Sequence, residues 1–227
     1  SLVMKILILV FLLQISCIRS HNEFRGCALV NKIDLKNVIR KAPIHLCTHI
    51  IYQDYREDDQ NLHEVLNLKA KFPKLKIHVE LHFYLEVDLN KAKGKLDRLK
   101  KIYSIDGVVI VIDLQQSNAR RYVENLCSHV KKMSLECLLS TSQWKGYSLK
   151  TIKFKGLGLN SFVDAVIIES KMQSLFFKYI PKPRAVRKTM GEDYRSLEGD
   201  IEFWLKQGIS KDKMIATIII DPTIIYY

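Results

Sequence analysis

A run of β-branched residues at positions 104–113 limits the fold of this chain more than any other feature of the sequence. Five consecutive valines and isoleucines stand between Gly107 and Asp113. Strands buried on both faces of a parallel sheet have this composition, because neither face meets water. Side chains alternate along a strand, so Val109, Val111 and Asp113 share one face. In α/β barrels the catalytic groups lie at the carboxyl ends of strands, which makes Asp113 a candidate acid.

Strand-like and helix-like segments alternate along the chain. Apolar, β-branched segments predict seven strands, at 24–30, 45–52, 75–83, 104–113, 135–140, 162–169 and 214–220. Helices are predicted between them, at 34–41, 61–71, 89–103, 118–133 and 197–207. This alternation is typical of a parallel sheet, and no glycine-rich fingerprint of a dinucleotide-binding fold follows the first strand. We therefore expect an α/β fold of the (β/α)8 TIM-type barrel class, incomplete because only about seven strands are visible.

The amino-terminal segment resembles a secretory signal peptide. Lys5 precedes an unbroken apolar run at 6–13, and small residues follow it. That run is too short to span a bilayer, and no second segment is long and apolar enough to do so. We expect a signal peptide at 1–20, one barrel domain at 21–227, and a secreted, extracellular protein without a membrane span.

The cysteines agree with an oxidising compartment. Once Cys17 leaves with the signal peptide, Cys27, Cys47, Cys127 and Cys137 remain. An even number favours disulfides, and four cysteines allow three pairings. No pair has the CxxC spacing of a structural zinc site.

The chain is basic, with a formal net charge of +12. The basic residues are spread along the whole chain and no nucleic-acid-binding motif accompanies them, so we expect no nucleic-acid partner. The segment 91–101 and the loop 178–188 are the densest basic stretches. Either could bind a sulfated glycan or an anionic lipid, and the alternative is a solvated protein surface.

Several segments together resemble glycoside hydrolase family 18, which comprises the chitinases and chitinase-like lectins. The most specific is 46–52, Leu-Cys-Thr-His-Ile-Ile-Tyr, and the segments 72–76, 105–107, 162–166 and 204–214 follow in the family's order. The resemblance covers nearly the whole chain after the signal peptide. It implies a TIM barrel, a ligand related to chitin, and a disulfide between Cys27 and Cys47.

The catalytic motif of that family is altered here. Active members carry Asp-x-x-Asp-x-Asp-x-Glu, and the four positions correspond to Asp106, Val109, Val111 and Asp113. Val111 replaces the carboxylate that supports the substrate's acetamido group, and Asp113, at the position of the general acid, is one methylene shorter than glutamate. A general acid needs hydrogen-bond reach to the leaving oxygen, so the resemblance implies that hydrolysis has been lost.

The other site predictions lie on neighbouring strands. Candidate ligand-binding residues are Glu80, His82, Tyr84, Trp144 and Lys171. His78, Glu80 and His82 also share one face of the strand at 75–83, where they either bind zinc or manganese beside Asp113 or form a polar plug. We otherwise expect no metal and no cofactor.

Three hypotheses follow from the sequence. The first is a secreted chitinase-like protein without catalytic activity that binds a chitin-type or sulfated glycan. The second is a glycoside hydrolase that acts on N-acetylglucosamine polymers with Asp113 as general acid. The third is a chain truncated before an eighth strand, with no function of its own.

Overall fold

A computed structural model describes residues 24–30, 35–57, 59–83, 88–112, 119–140, 158–168, 171–172, 182–183 and 197–216 of the 227-residue chain. Nine strands lie in these ranges: β1 Gly26–Val30, β2 His49–Gln53, β3 Lys76–Phe83, β4 Gly107–Ile112, β5 Glu136–Ser140, β6 Ala165–Ile168, β7 Lys171–Met172, β8 Lys182–Pro183 and β9 Met214–Ala216. The helices are α1 Leu35–Lys41, α2 Gln60–Leu66, α3 Leu68–Lys71, α4 Leu89–Ile102, α5 Ala119–Lys132 and α6 Leu197–Lys206.

Seven of these strands form one parallel sheet in strictly sequential order, β1-β2-β3-β4-β5-β6-β9. A doubly wound sheet reverses its strand order partway, whereas a barrel never does. The order therefore confirms the predicted α/β fold of the TIM-type barrel class, with seven barrel strands in the residues that the structure describes. β7 and β8 form a separate antiparallel ribbon.

The sheet curls around an apolar interior. The buried side chains of this interior are Ile51, Val109, Val111, Leu138, Ala165 and Ile167. Phe24, just before β1, and Ile215, on β9, both pack against this one cluster, which a flat sheet would keep far apart. The opposite face of the sheet packs on the helices, with Leu96 of α4, Leu126 of α5 and Trp204 of α6 almost fully buried.

One hydrogen-bond pattern recurs at the amino ends of the strands. The side chain of the residue before a strand accepts a hydrogen bond from a backbone N–H at the start of the preceding strand. Asp106 accepts from Ile77 N–H at 2.7 Å, and Asp164 accepts from Cys137 N–H at 2.8 Å. Since each bond joins a fixed pair of neighbouring strands, the two carboxylates hold the β3–β4 and β5–β6 registers.

Two disulfides are present. Cys27 on β1 is joined to Cys47, which lies just before β2, with Cα atoms 5.9 Å apart. Cys127 on α5 is joined to Cys137 on β5, with Cα atoms 5.4 Å apart, and both residues are fully buried. None of the helices in the described ranges has the length and apolar character that crossing a membrane requires.

Two local features differ from the predictions. The helix predicted at 61–71 is divided at Asn67 into α2 and α3, and asparagine is among the weaker helix formers. The segment Lys182–Pro183, predicted as a loop, pairs with Lys171–Met172 instead. Two-residue strands are too short to leave a periodic signal.

Candidate functional site

A hydrogen-bonded trio lies toward the carboxyl ends of β2 and β3, where barrel enzymes carry their chemistry. The Glu80 carboxylate accepts a hydrogen bond from Gln53 Nε2 at 2.9 Å, and its other oxygen lies 3.0 Å from His82 Nε2. Glu80 is only 8% exposed, whereas the His82 side chain is 37% exposed. Two donors thus offset the cost of burying the carboxylate and fix its orientation.

Strand alternation explains why Glu80 and His82 meet. The alternate β3 residues Ile77, Val79 and Leu81 belong to the apolar layer beneath the helices. The residues between them therefore face the barrel interior, and Glu80 and His82 are consecutive members of that inward row. Because a carboxylate only accepts, His82 Nε2 is the protonated ring nitrogen in this contact.

β4 presents an apolar surface beside this trio. Val111 pairs in register with His82 on one side and with Ser140 on the other. Its side chain is 3% exposed and belongs to the interior cluster with Val109 and Leu138. The inward face of β4 is therefore apolar at positions 109 and 111.

The remaining predicted site residues divide into two groups. Asp113, Tyr84 and Trp144 lie outside the described residues, and Lys171 is described only as part of the β7 backbone. Asp106 is described, and it lies at the amino end of β4, where it bonds to the Ile77 amide and pairs with Lys69 at 2.6 Å. This contact makes it a register-holding residue of the β3–β4 pair.

A second polar cluster occupies the amino end of the barrel. His78 is fully buried, and its Nε2–H donates to Glu136 on β5 at 2.8 Å. The other Glu136 oxygen pairs with Lys76. The bonds from His78 and Lys76 hold the pKa of Glu136 at about 2, against partial burial, which acts in the opposite direction. Glu136 is thus a carboxylate at neutral pH.

His49 lies against this cluster. Its ring stacks on Phe24 at a centroid distance of 3.9 Å and lies 5.4 Å from the His78 ring. Burial, together with nearby His78, lowers the pKa of His49 to about 4, so the ring is neutral at pH 7. Thr48 Oγ1 lies 2.7 Å from His49 Nδ1. A cavity of about 600 Å³ opens here, with His49 and Glu136 among its lining residues.

Gly107 makes room for the buried histidine. A Cβ atom at this position would lie 2.6 Å from His78 Nε2 and 2.7 Å from the Glu136 carbonyl oxygen. Any side chain at 107 would therefore displace the histidine from its carboxylate partner.

The structure separates the three candidate metal ligands into two pairs. His78 bonds to Glu136 at the amino end, and His82 bonds to Glu80 toward the carboxyl end. Four residues along a strand span about 13 Å, so the two imidazoles cannot share one ion. Across the ranges that the structure describes, no three histidine, cysteine or acidic residues are grouped to hold a metal.

Sequence reasoning missed Gln53, Glu136 and His49. Gln53 ends β2 and donates to Glu80 on the adjacent strand β3. Glu136 begins β5 and bonds to His78 on β3, across the intervening strand β4. His49 begins β2, and its ring bonds to Thr48, the residue just before it. The signal for these residues in the sequence is a polar side chain at a position of a predicted strand that faces the barrel interior. Which positions face the interior, and which residues meet there, is known only once the strand register is known.

Comparisons with known proteins give a distant structural likeness. No family profile and no curated protein matches the sequence. Among solved structures, the chain is similar to ydhD of Bacillus subtilis, a proposed sporulation-specific glycosylase, with a TM-score of 0.42 and 12% sequence identity. The match covers 87% of this chain and 61% of that one, so this chain spans about three-fifths of the length of its structural neighbour.

Proposed function

We propose that this chain is a secreted chitinase-like protein that binds chitin-type oligosaccharides at the carboxyl end of its barrel without hydrolysing them. The observation that carries the proposal is the burial of Val111. Its side chain, 3% exposed within an apolar cluster, occupies the motif position at which active family 18 members need a carboxylate.

Without that carboxylate, the chain lacks a group that the family 18 reaction requires. Family 18 hydrolysis uses the substrate's own acetamido group, which a neighbouring carboxylate orients and stabilises as positive charge develops. An isopropyl group supplies neither charge nor a hydrogen-bonding atom. Removing one preorganised electrostatic contact in an active site typically costs about 10²–10³ in rate. Asp113, which is one methylene shorter than glutamate, does not by itself replace the aspartate and glutamate that active members carry at positions 111 and 113.

The groups around Val111 suit binding. Glu80 is held by Gln53 and His82, so it offers a carboxylate of fixed orientation at the edge of an apolar floor. Sugar sites combine apolar surface with a few positioned polar groups. We infer that Glu80 and His82 contact sugar hydroxyls. Tyr84, Trp144 and Lys171 complete the proposed set of ligand-binding residues.

Secretion is supported by the cysteines. Disulfides persist in oxidising compartments, and all four cysteines that follow the proposed signal peptide at 1–20 are paired.

A binding titration tests the proposal. Chitin tetrasaccharide titrated calorimetrically into the purified chain should give saturable heat. Glu80→Gln keeps the volume and removes the charge, and should weaken binding at least tenfold, since a hydrogen bond to a charged group contributes about 1.5–3 kcal/mol. Glu136→Gln is the matched control at the opposite end of the barrel and should bind like the parent chain. Absence of saturable heat, or equal losses in both variants, would refute binding at this end.

A further inference from the structure

Lysines and arginines gather at the amino end of the barrel. In a βα barrel each helix runs antiparallel to the strands, so its last turn lies beside the amino end of the next strand. The described segments that lead into or begin β2, β3, β4, β5, β6 and β9 are 40–49, 69–76, 100–106, 131–136, 158–164 and 206–213. Together they contain thirteen lysines and arginines against four acidic residues. The loop 53–57, which leaves β2 at the opposite end, has one arginine against two acids.

Most of this positive charge is not neutralised within the described residues. Three of the four acids are held in ion pairs: Asp106 with Lys69, Asp164 with Lys131, and Glu136 with Lys76. Exposed lysines of this end that have no ion pair with any described residue are Lys41, Lys71, Lys74, Lys101, Lys132 and Lys211. The helix dipole favours cations in a last turn, yet Lys74 lies in no helix. The amino end therefore keeps an excess of positive charge that the fold itself does not use.

The cations of this end surround an opening. The cavity of about 600 Å³ beside His49 is lined by lysines from two separate segments, Lys74 and Lys76 from the first and Lys213 from the second. Lys213 Nζ donates to backbone carbonyl oxygens, among them that of Val163 at 2.9 Å, rather than to a carboxylate. Residues far apart in the sequence are thus brought to the same end, and they form a broad ring of charge rather than a line.

Two aliphatic side chains are exposed at the same end. Leu46, which closes the turn before β2, is 56% exposed, and Ile102, the last residue of α4, is 51% exposed. In the described part of the chain, the one other exposed large apolar side chain is Val38. Aliphatic side chains beside lysines can enter the interface of a bilayer while the ammonium groups stay among the headgroups. A soluble polyanion offers such side chains no comparable environment.

We propose that the amino-end face docks on the surface of an anionic phospholipid membrane. The residues that define this face are Lys71, Lys74, Lys101, Lys211, Leu46 and Ile102. A disc of cations matches a flat array of anionic headgroups, and the two aliphatic side chains bury apolar area at the boundary with the acyl chains. The face lies at the opposite end of the barrel from the proposed sugar site, so both can be occupied at once.

Sedimentation of the full chain with phospholipid vesicles tests the proposal. The vesicles contain one third phosphatidylserine in phosphatidylcholine, and vesicles of phosphatidylcholine alone serve as the uncharged surface. Replacing Lys71, Lys74 and Lys101 by glutamine removes three charges from the amino-end face. The matched control loses the same charge from exposed residues that follow β2, β3 and β4 at the carboxyl end, namely Arg56, Lys91 and Arg121. Circular dichroism and thermal melts establish that both variants fold.

The lysine variant should bind the phosphatidylserine vesicles at least tenfold more weakly than the control, since each lysine near an anionic membrane strengthens binding roughly fivefold. Phosphatidylcholine vesicles should bind neither. A second variant, Leu46→Asn with Ile102→Asn, keeps the charge of the face. It should bind the anionic vesicles about tenfold more weakly than the parent chain, because it buries less apolar area, and should bind duplex DNA as the parent does.

Equal affinities of the lysine variant and its control for the anionic vesicles would overturn the amino-end face as the docking surface. Undiminished vesicle binding by the asparagine variant would overturn the membrane as the partner. So would tighter binding of the parent chain to duplex DNA or to a heparin oligosaccharide than to the vesicles. The lysine variant should still bind chitin tetrasaccharide like the parent chain. A parent chain that binds the vesicles but no chitin would refute the proposed function alone.

Discussion

Replacing Gly107 by alanine should destabilise the barrel more than any other single methyl group added to a described glycine. The added Cβ would lie 2.6 Å from His78 Nε2 and 2.7 Å from the Glu136 carbonyl oxygen. The carbonyl belongs to the backbone of the adjacent strand, and His78 is fully buried. Neither group can move aside without disrupting the sheet or the hydrogen bond between His78 and the Glu136 carboxylate.

The magnitude follows from two contributions. Forcing an extra methyl group into a packed interior costs about 1–3 kcal/mol. Separating His78 from Glu136 loses a hydrogen bond to a charged group, about 1.5–3 kcal/mol. Together they predict a loss of about 2.5–6 kcal/mol, a large share of the roughly 5–15 kcal/mol that holds a typical domain folded.

Urea unfolding followed by circular dichroism measures this loss, and Gly94→Ala is the matched control. Gly94 lies inside α4 with nothing within 4 Å of its added Cβ, so alanine there should stabilise the chain by about 0.5–1 kcal/mol. The same substitution should thus act with opposite sign at the two sites. A Gly107→Ala chain within about 0.5 kcal/mol of the parent would refute the packing described around His78.

Three further predictions concern stability. Because the pKa of His49 is lowered to about 4, the unfolded chain takes up its proton first, so about 2–3 kcal/mol should be lost as the pH falls from 6.5 to 4. The lowered pKa of Glu136 adds a loss of similar size between pH 4.5 and 2. A His49→Phe chain whose stability falls as steeply with pH above pH 4.5 as that of the parent would contradict the effect of His49. Replacing both Cys127 and Cys137 by alanine should cost about 2–3 kcal/mol, and a peptide map without their cross-link would contradict the pairing. Asp106→Ala should lower the free energy of unfolding, measured in urea, by about 1–2 kcal/mol. Asp106→Asn should lower it clearly less, since the amide oxygen still accepts the hydrogen bond from Ile77 N–H. Equal losses in the two variants would argue against the register role.

The sequence was sufficient for the fold because the strands are apolar and regularly spaced. Val108 and Ile110 are fully buried against the helices, while Val109 and Val111 line the interior, as a strand covered on both faces requires. The barrel class was predicted from the alternation of strands and helices, from the number of strands, and from the absence of a dinucleotide-binding fingerprint. The break at Asn67 escaped prediction, because the apolar periodicity continues across it.

The site was less predictable because it depends on which residues face each other across strands. The sequence showed that His78, Glu80 and His82 share one face of a strand. It could not show that His78 bonds to Glu136 whereas His82 bonds to Glu80. Asp106 was assigned to a catalytic motif on position, and its bond to a neighbouring amide became visible only with the β3–β4 register. Pairing between strands is a long-range property, and a local pattern does not encode it.

Product analysis tests the central claim most directly. The purified chain is incubated with chitin hexasaccharide under conditions in which the titration shows the sugar bound, and the mixture is followed by mass spectrometry. With Val111 in the buried apolar cluster, the hexasaccharide should remain intact over days. Shorter oligosaccharides that appear with the parent chain and vanish with Asp113→Asn would contradict the account and establish a hydrolase.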